Sequence, residues 1–265
     1  MMPASLAARQ ERHAASARAA PLISAKEVPT LVPQTRYHSS TPEVWDQLAP
    51  EYDELRAEDV VYWSCIEQAI EALRPAGTVL DAGCGTGATT RFLLNCEHVD
   101  ALDFSASSLE VLQSNLGEHE NLELVQGDVR RLPFPDESFD CVLCANTINC
   151  LTRDMQPQAA AELMRVLKPG GRFVVSAHHY SRFKQRRHWV KEGRPGQPGI
   201  DYVYRFTREE LAELFPHAAF RAAGFYSLPA RVQNMVARWL GGPLGRIKVG
   251  HVLIAYGQKP ARRSH

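Results

Sequence analysis

The most constraining feature of the sequence is the stretch Val79–Gly87, which reads V-L-D-A-G-C-G-T-G. A short apolar run leads directly into three glycines within five positions. Glycine allows the backbone to turn tightly and to approach a ligand closely, and a helix beginning there would present free N–H groups. A simple turn needs only one glycine. The stretch therefore predicts a strand, a turn and a helix that together bind a nucleoside-like cofactor.

The pattern after this stretch alternates short β-rich runs with helical segments. Strands are predicted at 78–81, 98–103, 122–126, 139–145 and 172–177, with helices near 88–95, 107–116 and 158–167 between them. A helix at 207–215 and strands at 222–226 and 250–256 follow. Such alternation is typical of a parallel sheet covered by helices. The expected fold is α/β: a Rossmann-like, doubly wound, mostly parallel seven-stranded sheet with helices on both faces.

The chain is expected to form one domain, residues 41–260, behind a flexible extension, residues 1–40. The extension is rich in Ala, Ser, Pro and Arg, and few apolar residues in it could pack into a core. Residues 1–36 are interpreted as a plain extension, and an organelle-targeting sequence is the alternative. Helices at 42–55 and 59–73 open the domain. Within it, residues 181–206 form a long insertion with interleaved basic and aromatic side chains.

Composition excludes several classes of protein. The 30 basic and 30 acidic side chains balance, so general capture of nucleic acid is not indicated. No apolar run approaches the roughly 18 residues of a membrane span, and we expect a cytoplasmic protein.

Cys141 and Cys144 are spaced as C-x-x-C, but they lie in a predicted strand and would point to opposite faces of the sheet. No bound metal is expected.

Four further motifs occur in a fixed order along the chain. Asp81 precedes the glycines, Gly127-Asp128-Val129 ends the third strand, a proline-rich acidic run at 132–140 leads into the fourth strand, and Leu167–Phe173 leads into the fifth. Over residues 42–178 this set closely resembles the class I S-adenosylmethionine-dependent methyltransferases. The resemblance is strongest to the small-molecule branch that contains the ubiquinone/menaquinone-biosynthesis enzymes.

The resemblance implies S-adenosyl-L-methionine as cofactor and assigns residues to it. The turn Gly83–Gly87 would pass under the methionine part, with Asp81 organising the turn and the ammonium end. Asp103 would accept the ribose hydroxyls, Asp128 the adenine amino group, and Asn146 would lie near the reacting methyl. The predicted cofactor-binding set is Asp81, Gly83, Cys84, Gly85, Gly87, Asp103, Phe104, Asp128, Val129 and Asn146.

The acceptor side of the site is predicted less fully. Trp45, Tyr52 and Asp53 match the family's helix that lies over the cofactor, although Trp45 and Tyr52 could equally share the buried face of one helix. The candidate bases are His178, His179 and Tyr180, because ligands of open α/β sheets bind at the carboxyl ends of the strands. Solvated loop residues are the alternative for both histidines.

The expected activity is methyl transfer to a small-molecule acceptor, which could be anionic or aromatic. The basic and aromatic insertion 181–206 would suit such an acceptor, and it would also suit an RNA backbone beside stacked bases. The alternatives are a methyltransferase acting on RNA or protein, and a non-catalytic binding subunit of the same fold. An NAD-dependent dehydrogenase would leave Asp128 and the run 167–173 unexplained.

Overall fold

The computed structural model describes residues 41–57, 60–186, 191–193, 202–223 and 251–261. The expected extension, residues 1–40, lies outside this range, and so does much of the insertion 181–206. Within the described residues, no helix is both long enough and apolar enough to cross a membrane.

A seven-stranded sheet forms the centre of the molecule. Its strands are β1 (Thr78–Ala82), β2 (His98–Asp103), β3 (Leu122–Gln126), β4 (Phe139–Ala145), β5 (Leu167–His178), β8 (Ala219–Ala223) and β9 (Val252–Gln258). Their order across the sheet is β3-β2-β1-β4-β5-β9-β8. The first five strands are parallel, and β9 runs antiparallel to both of its neighbours. Two short strands, β6 (Glu192–Gly193) and β7 (Val203–Tyr204), pair separately.

Six α-helices accompany these strands in the described part of the chain: α1 (Pro42–Arg56), α2 (Val60–Leu73), α3 (Ala106–Leu116), α4 (Gln156–Val166), α5 (Arg182–Arg186) and α6 (Arg208–Leu214). Local sequence explains several of their starts. Ser105 caps α3 by accepting a hydrogen bond from the Ser108 N–H at 3.0 Å. Thr207 and Glu210 form a reciprocal capping box at the start of α6, which satisfies two otherwise unpaired backbone donors.

Apolar side chains cover both faces of the sheet, because alternate residues of each strand point to opposite sides. On one face, Leu80 and Val142 pack in a cluster that includes Leu163 of α4. On the other face, Val79 and Val99 pack in a cluster that includes α2. The structure therefore confirms the predicted fold class: a Rossmann-like, mostly parallel seven-stranded sheet with helices on both faces.

One predicted helix is wrong. Residues 88–95 were expected to form a helix after the glycine turn, but this segment contains only a single 3₁₀ turn, Thr90–Phe92. The hydroxyls of Thr89 and Thr90 donate to the buried carboxylate of Asp81 at 2.7 and 2.8 Å. These bonds hold the chain close to β1 in a run of short turns, which replaces the regular helix expected here.

Smaller differences concern the ends of the strands. The strand expected at 172–177 already begins at Leu167 and extends to His178. The strand expected at 222–226 occupies Ala219–Ala223, and residues 224–226 lie outside the described residues.

Candidate active site

A cavity opens at the carboxyl ends of β1, β2 and β4, between these strand ends and helices α1 and α2. Its empty volume is about 950 Å³, part of which is open to solvent, and this lies in the range of small-molecule and cofactor sites. Eight of the ten predicted cofactor residues line it: Gly83, Cys84, Gly85, Asp103, Phe104, Asp128, Val129 and Asn146. The other two, Asp81 and Gly87, do not line the cavity.

The three glycines of the turn serve different purposes. A Cβ on Gly83 would lie 2.3 Å from the Thr147 Oγ1, so glycine permits the turn to touch the end of β4. At Gly85, φ is +53° and a Cβ would meet nothing within 4 Å, because this residue faces the cavity. At Gly87, φ is +92° and a Cβ would lie 2.9 Å from Leu112 of α3. The middle glycine thus leaves its backbone open to a ligand.

Asp103, the last residue of β2, presents its carboxylate at the cavity wall. One oxygen accepts the Gly85 N–H at 2.9 Å, and the other accepts the Ser105 N–H at 3.0 Å. The residue is 8% exposed, and burial raises its pKa despite these hydrogen bonds. Since a carboxylate can accept about four hydrogen bonds, Asp103 keeps capacity for donors in the cavity while fixing the glycine turn.

Asp81 is fully buried beneath the turn. One of its oxygens accepts the hydroxyls of Thr89 and Thr90, and the other has no hydrogen-bond partner among the described residues. Burial raises the pKa of Asp81 to about 6, against the smaller opposing effect of the two threonines. This geometry suits a carboxylate that organises the turn, but it does not bring Asp81 to the cavity wall, where an ammonium group could reach it.

Asp128 reaches the cavity together with Arg130, a residue that the sequence analysis did not select. The Arg130 Nε lies 2.9 and 2.8 Å from the two oxygens of Asp128, and the Arg130 backbone N–H donates to Oδ1 at 2.8 Å. Although burial raises the pKa of Asp128, the hydrogen bonds and charge of Arg130 lower it overall. Both oxygens of Asp128 are thus already engaged. The only signal of this pair in the sequence is that Asp128 and Arg130 are two positions apart.

Asn146 follows β4 directly and lies on the wall with φ of +56°, in the left-handed region. Its N–H donates to the backbone oxygen of Ser176 on β5 at 2.9 Å. A left-handed conformation is uncommon for a residue with a side chain, and such residues concentrate at functional sites. The next residue, Thr147, donates its hydroxyl to the Gly83 oxygen at 3.2 Å, so the turn after β4 and the glycine turn are joined.

Helices α1 and α2 close one side of the cavity with aromatic rings. Trp45, Tyr52 and Tyr62 all line it. The rings of Trp45 and Tyr52 meet edge to face at 6.1 Å, as do those of Tyr52 and Tyr62 at 6.5 Å. Trp45 and Tyr52 also pack against Leu48, so they belong both to a buried helix face and to the cavity wall.

Two aspartates of α1 attach this helix to the rest of the site. Asp53 accepts the Thr86 hydroxyl and the Asn115 amide, both at 2.6 Å. Asp46 accepts the Ser105 hydroxyl at 2.6 Å. Because Thr86 belongs to the glycine turn and Ser105 follows Asp103, α1 is tied to both parts of the chain that form the cofactor side of the cavity.

The two histidines predicted as candidate bases do not line the cavity. Burial, reinforced by the cationic Arg205 and Lys184, lowers the pKa of His178 to about 3. His179 is 6% exposed, and its N–H donates to the His251 oxygen at 2.7 Å. A residue with so low a pKa is a weak base near neutral pH, so the geometry does not favour His178 as a catalytic base.

One group of three side chains that could ligate a metal lies outside this cavity. His98, Asp100 and Glu123 bring one ligand atom each within 4.8 Å of one another, but they lie near the start of β2 and β3, away from the carboxyl ends. Cys141 and Cys144 are buried free thiols that belong to different core clusters on opposite faces of the sheet.

Comparison with known proteins agrees with this geometry. Residues 79–171 match the family described as "Methyltransferase domain". The ubiquinone/menaquinone biosynthesis C-methyltransferase UbiE of Hahella chejuensis is 36% identical over 157 residues, which cover 54% of this chain and 61% of that enzyme. The chain thus spans about three fifths of the length of this relative.

Solved structures share the fold at lower identity. The 1,6-didemethyltoxoflavin-N1-methyltransferase of Burkholderia thailandensis, determined with 1,6-didemethyltoxoflavin and S-adenosylhomocysteine, aligns with a TM-score of 0.58 at 20% identity, over 89% of this chain and 93% of that one. A putative methyltransferase in complex with the Haloferax volcanii Trm112 activator aligns with a TM-score of 0.59 at 22% identity, over 82% and 97%.

Residues 79–171 thus match a methyltransferase domain, and the chain has the fold of these solved methyltransferases. In sequence, the chain resembles the UbiE-type C-methyltransferases.

Proposed function

We propose that the protein transfers a methyl group from S-adenosylmethionine to a small-molecule acceptor. The observation that carries this proposal is the pairing of Gly85 with Asp103 on the cavity wall. The Gly85 backbone is open to the cavity, and its N–H donates to the Asp103 carboxylate at 2.9 Å. A carboxylate held in this way is suited to accept two convergent hydroxyl donors, such as those of a ribose.

The other residues of the wall fit the rest of this cofactor. The turn Gly83–Gly87 would hold the methionine part, and Phe104 and Val129 would supply apolar surface beside the adenine. Asp128 would accept the adenine amino group only if Arg130 gives up part of its contact, since both oxygens are engaged by Arg130. When bound, the cofactor supplies a methyl group already activated on a sulfonium.

The protein's main contribution to the reaction is to position the two reactants. Burial raises the pKa values of Tyr62, Cys84 and Cys150 on the cavity wall, so these groups stay protonated near neutral pH and do not act as bases. Positioning can contribute about 7–11 kcal/mol, whereas a general base contributes about 10²- to 10⁴-fold in rate. This site therefore suits an acceptor that needs little help in losing a proton.

The acceptor proposed for this site is small and either aromatic or anionic. The rings of Trp45, Tyr52 and Tyr62 offer stacking surface at the cavity. The resemblance to UbiE, which is named as a C-methyltransferase of ubiquinone and menaquinone biosynthesis, supports an aromatic acceptor. RNA or protein acceptors and a non-catalytic binding role are the competing functions. An activator subunit, as in the Haloferax volcanii complex, is a further candidate partner.

The cytoplasm is the proposed compartment. Five of the six cysteines are buried, and the described structure contains no disulfide between them, which agrees with a reducing environment.

Isothermal titration with the full-length protein tests cofactor binding. S-adenosylmethionine and S-adenosylhomocysteine should bind, and NAD should not. Asp103→Ala should weaken binding about ten- to a hundredfold, because hydrogen bonds to a charged group contribute roughly 1.5–3 kcal/mol. Asp136→Ala is the matched control, since Asp136 is an exposed residue paired with Arg165 outside the cavity. Unchanged affinity in Asp103→Ala would remove the ribose assignment.

Transfer itself is tested with methyl-labelled S-adenosylmethionine and fractionated cell extract. Label should appear in small molecules that pass a size filter. Label found in RNA or protein would show that the acceptor is a macromolecule and not a small molecule. Binding of S-adenosylmethionine without transfer of label to any fraction would favour the non-catalytic role.

A further inference from the structure

Three polar side chains meet on one face of β2 and β3, near the amino ends of these strands. His98 and Asp100 are alternate residues of β2, so both point to the same face of the sheet. Glu123 is the residue of β3 that pairs with Asp100, and its side chain points to this face as well. One ligand atom from each residue lies within 4.8 Å of the other two. Two adjacent strands of the sheet therefore hold this cluster.

The cluster lies at the border between the core and solvent. Leu102 and Val125 are the next residues on the same face of the two strands; Leu102 belongs to the main apolar cluster, and Val125 packs against it. Asp100 is only 8% exposed, whereas Glu123 is exposed and the side chain of His98 is 39% exposed. Asp100 thus lies at the base of the cluster, and the two other side chains can be reached from solvent.

The carboxylate of Asp100 is buried without a lysine or arginine to compensate its charge. In the described part of the chain, neither Asp100 nor Glu123 pairs with such a side chain or accepts a backbone N–H, and Asp100 contacts the imidazole of His98. Like charges at paired positions of neighbouring strands repel each other. Buried charges in proteins are paired or coordinate metals. A cation bound between the two carboxylates would remove this repulsion.

The spacing of the donor atoms fits a metal ion better than a hydrogen bond. The His98 Nε2 lies 3.3 Å from the Asp100 Oδ2, which is longer than the range of about 2.7–3.2 Å for N–H···O hydrogen bonds. In a tetrahedral zinc site, metal–ligand distances of about 2.0–2.1 Å place neighbouring ligand atoms about 3.3 Å apart. Because Glu123 is exposed, rotation about its side-chain bonds can bring its carboxylate to the same distance.

We propose that His98, Asp100 and Glu123 bind one zinc ion, which joins the edge strand β3 to β2. Imidazole and carboxylate are both zinc ligands, and a water molecule would complete a four-coordinate site. None of the three residues lines the cavity at the carboxyl ends of the strands. The zinc site is therefore independent of the proposed methyl transfer, and its role is to stabilise the edge of the sheet.

Calorimetric titration with zinc chloride tests the site directly. The full-length protein is first treated with EDTA, which is then removed by buffer exchange, and zinc should bind to it at micromolar concentrations. His98→Gln and Glu123→Gln should each weaken zinc binding about tenfold or more, because each variant removes one ligand. Both side chains are accessible from solvent, so these variants should fold, and thermal unfolding of each variant checks this.

His119→Gln and Glu120→Gln are the matched controls. They remove the same two types of side chain from exposed positions just before β3, outside the cluster. Both controls should bind zinc with the affinity of the wild-type protein.

Cobalt(II) in place of zinc identifies the type of ligand through its absorption spectrum. With one equivalent of cobalt, nitrogen and oxygen ligands in a four-coordinate site should give stronger visible bands than the hydrated ion. His98→Gln should remove this increase. An intense thiolate-to-cobalt band in the near ultraviolet would show that cysteines hold the ion, and this result would overturn the site.

The stability of the sheet edge gives a further readout. Zinc should raise the thermal midpoint of the wild-type protein, since a ligand that binds only the folded state stabilises it. Zinc should also slow hydrogen exchange in Leu122–Gln126, because the ion would connect β3 to β2. Neither effect should occur in His98→Gln. Effects of the same size in His98→Gln would contradict the site.

The outcomes separate the zinc site from the proposed function. Absence of zinc binding to the wild-type protein overturns the zinc site, and so does equal zinc affinity in the site variants and the control variants. Either result leaves the binding of S-adenosylhomocysteine unaffected. If S-adenosylhomocysteine does not bind, the proposed function fails, and the zinc titration still decides the zinc site.

Discussion

Gly83 is the residue at which the glycine turn touches the end of β4. Its N–H donates to the Leu102 oxygen at 2.7 Å, and its oxygen accepts the Thr147 hydroxyl at 3.2 Å. Gly83→Ala should lower the free energy of unfolding and abolish S-adenosylhomocysteine binding, because the new methyl would overlap the Thr147 side chain. Urea unfolding and calorimetric titration measure the two effects.

Gly170→Ala is the matched control for Gly83→Ala. The two glycines have nearly the same φ, +77° and +76°, but a Cβ on Gly170 would meet nothing within 4 Å. Both variants carry the backbone strain of the left-handed region, and only Gly83→Ala adds overpacking, for which about 1–3 kcal/mol is typical. Equal destabilisation of the two proteins would contradict this account of Gly83.

Asp81 should make stability depend on pH in a direction unusual for an aspartate. Its pKa is about 6 in the folded protein and near 3.8 when unfolded, so the folded state binds its proton more tightly. The contribution of Asp81 to stability is therefore fully present at low pH and is lost as pH rises through about 6. Relative to Asp81→Asn, which does not titrate, the wild-type protein should gain about 1 kcal/mol between pH 7.5 and pH 5.

Urea unfolding of both proteins at several pH values measures this difference, because the other titrating groups are common to the two. A difference between the proteins that stays constant from pH 7.5 to pH 5 would show that Asp81 keeps an ordinary pKa in the folded state.

At the scale of elements, helix α1 depends on Asp46 and Asp53 for its attachment. Asp46→Ala/Asp53→Ala should loosen α1 and weaken S-adenosylhomocysteine binding about tenfold, because each aspartate accepts hydrogen bonds from residues that form the cofactor side. Hydrogen exchange should accelerate in Pro42–Arg56 and remain unchanged in β4. Glu54→Ala, an exposed acidic residue of the same helix, should leave exchange and affinity unchanged.

If the hydrogen-exchange rates of Pro42–Arg56 in the double variant equal those of the wild-type protein, the two aspartates are not needed to hold α1. Packing of Leu48 and its aromatic neighbours would then hold this helix in place.

Most elements could be predicted because their signals are local. The strands β2, β3 and β4 begin and end at the predicted residues. The helix expected at 88–95 failed because Thr89 and Thr90 bond to Asp81, a contact between side chains that periodicity does not report. The contact of Arg130 with Asp128 was missed for a related reason, because it depends on side-chain placement in the folded chain.

For the whole molecule, the sequence predicts that residues 1–36 are dispensable. They contain no periodic apolar face that could be buried against a core. A protein that begins at residue 37 should show nearly the same thermal midpoint and the same S-adenosylhomocysteine affinity as the full chain. A large loss of stability would show that the extension packs on the domain, and organelle import of a fused reporter would overturn the proposed cytoplasmic location.

The position of β9 has a consequence for how the protein is made. This strand is the last in the sequence of the sheet, yet it lies between β5 and β8 and pairs with both. During synthesis on a ribosome, one edge of β5 therefore stays unpaired until residues 252–258 emerge. An unpaired strand edge can form hydrogen bonds with strands of other chains. Nascent chains stalled before this strand would be natural clients for chaperones.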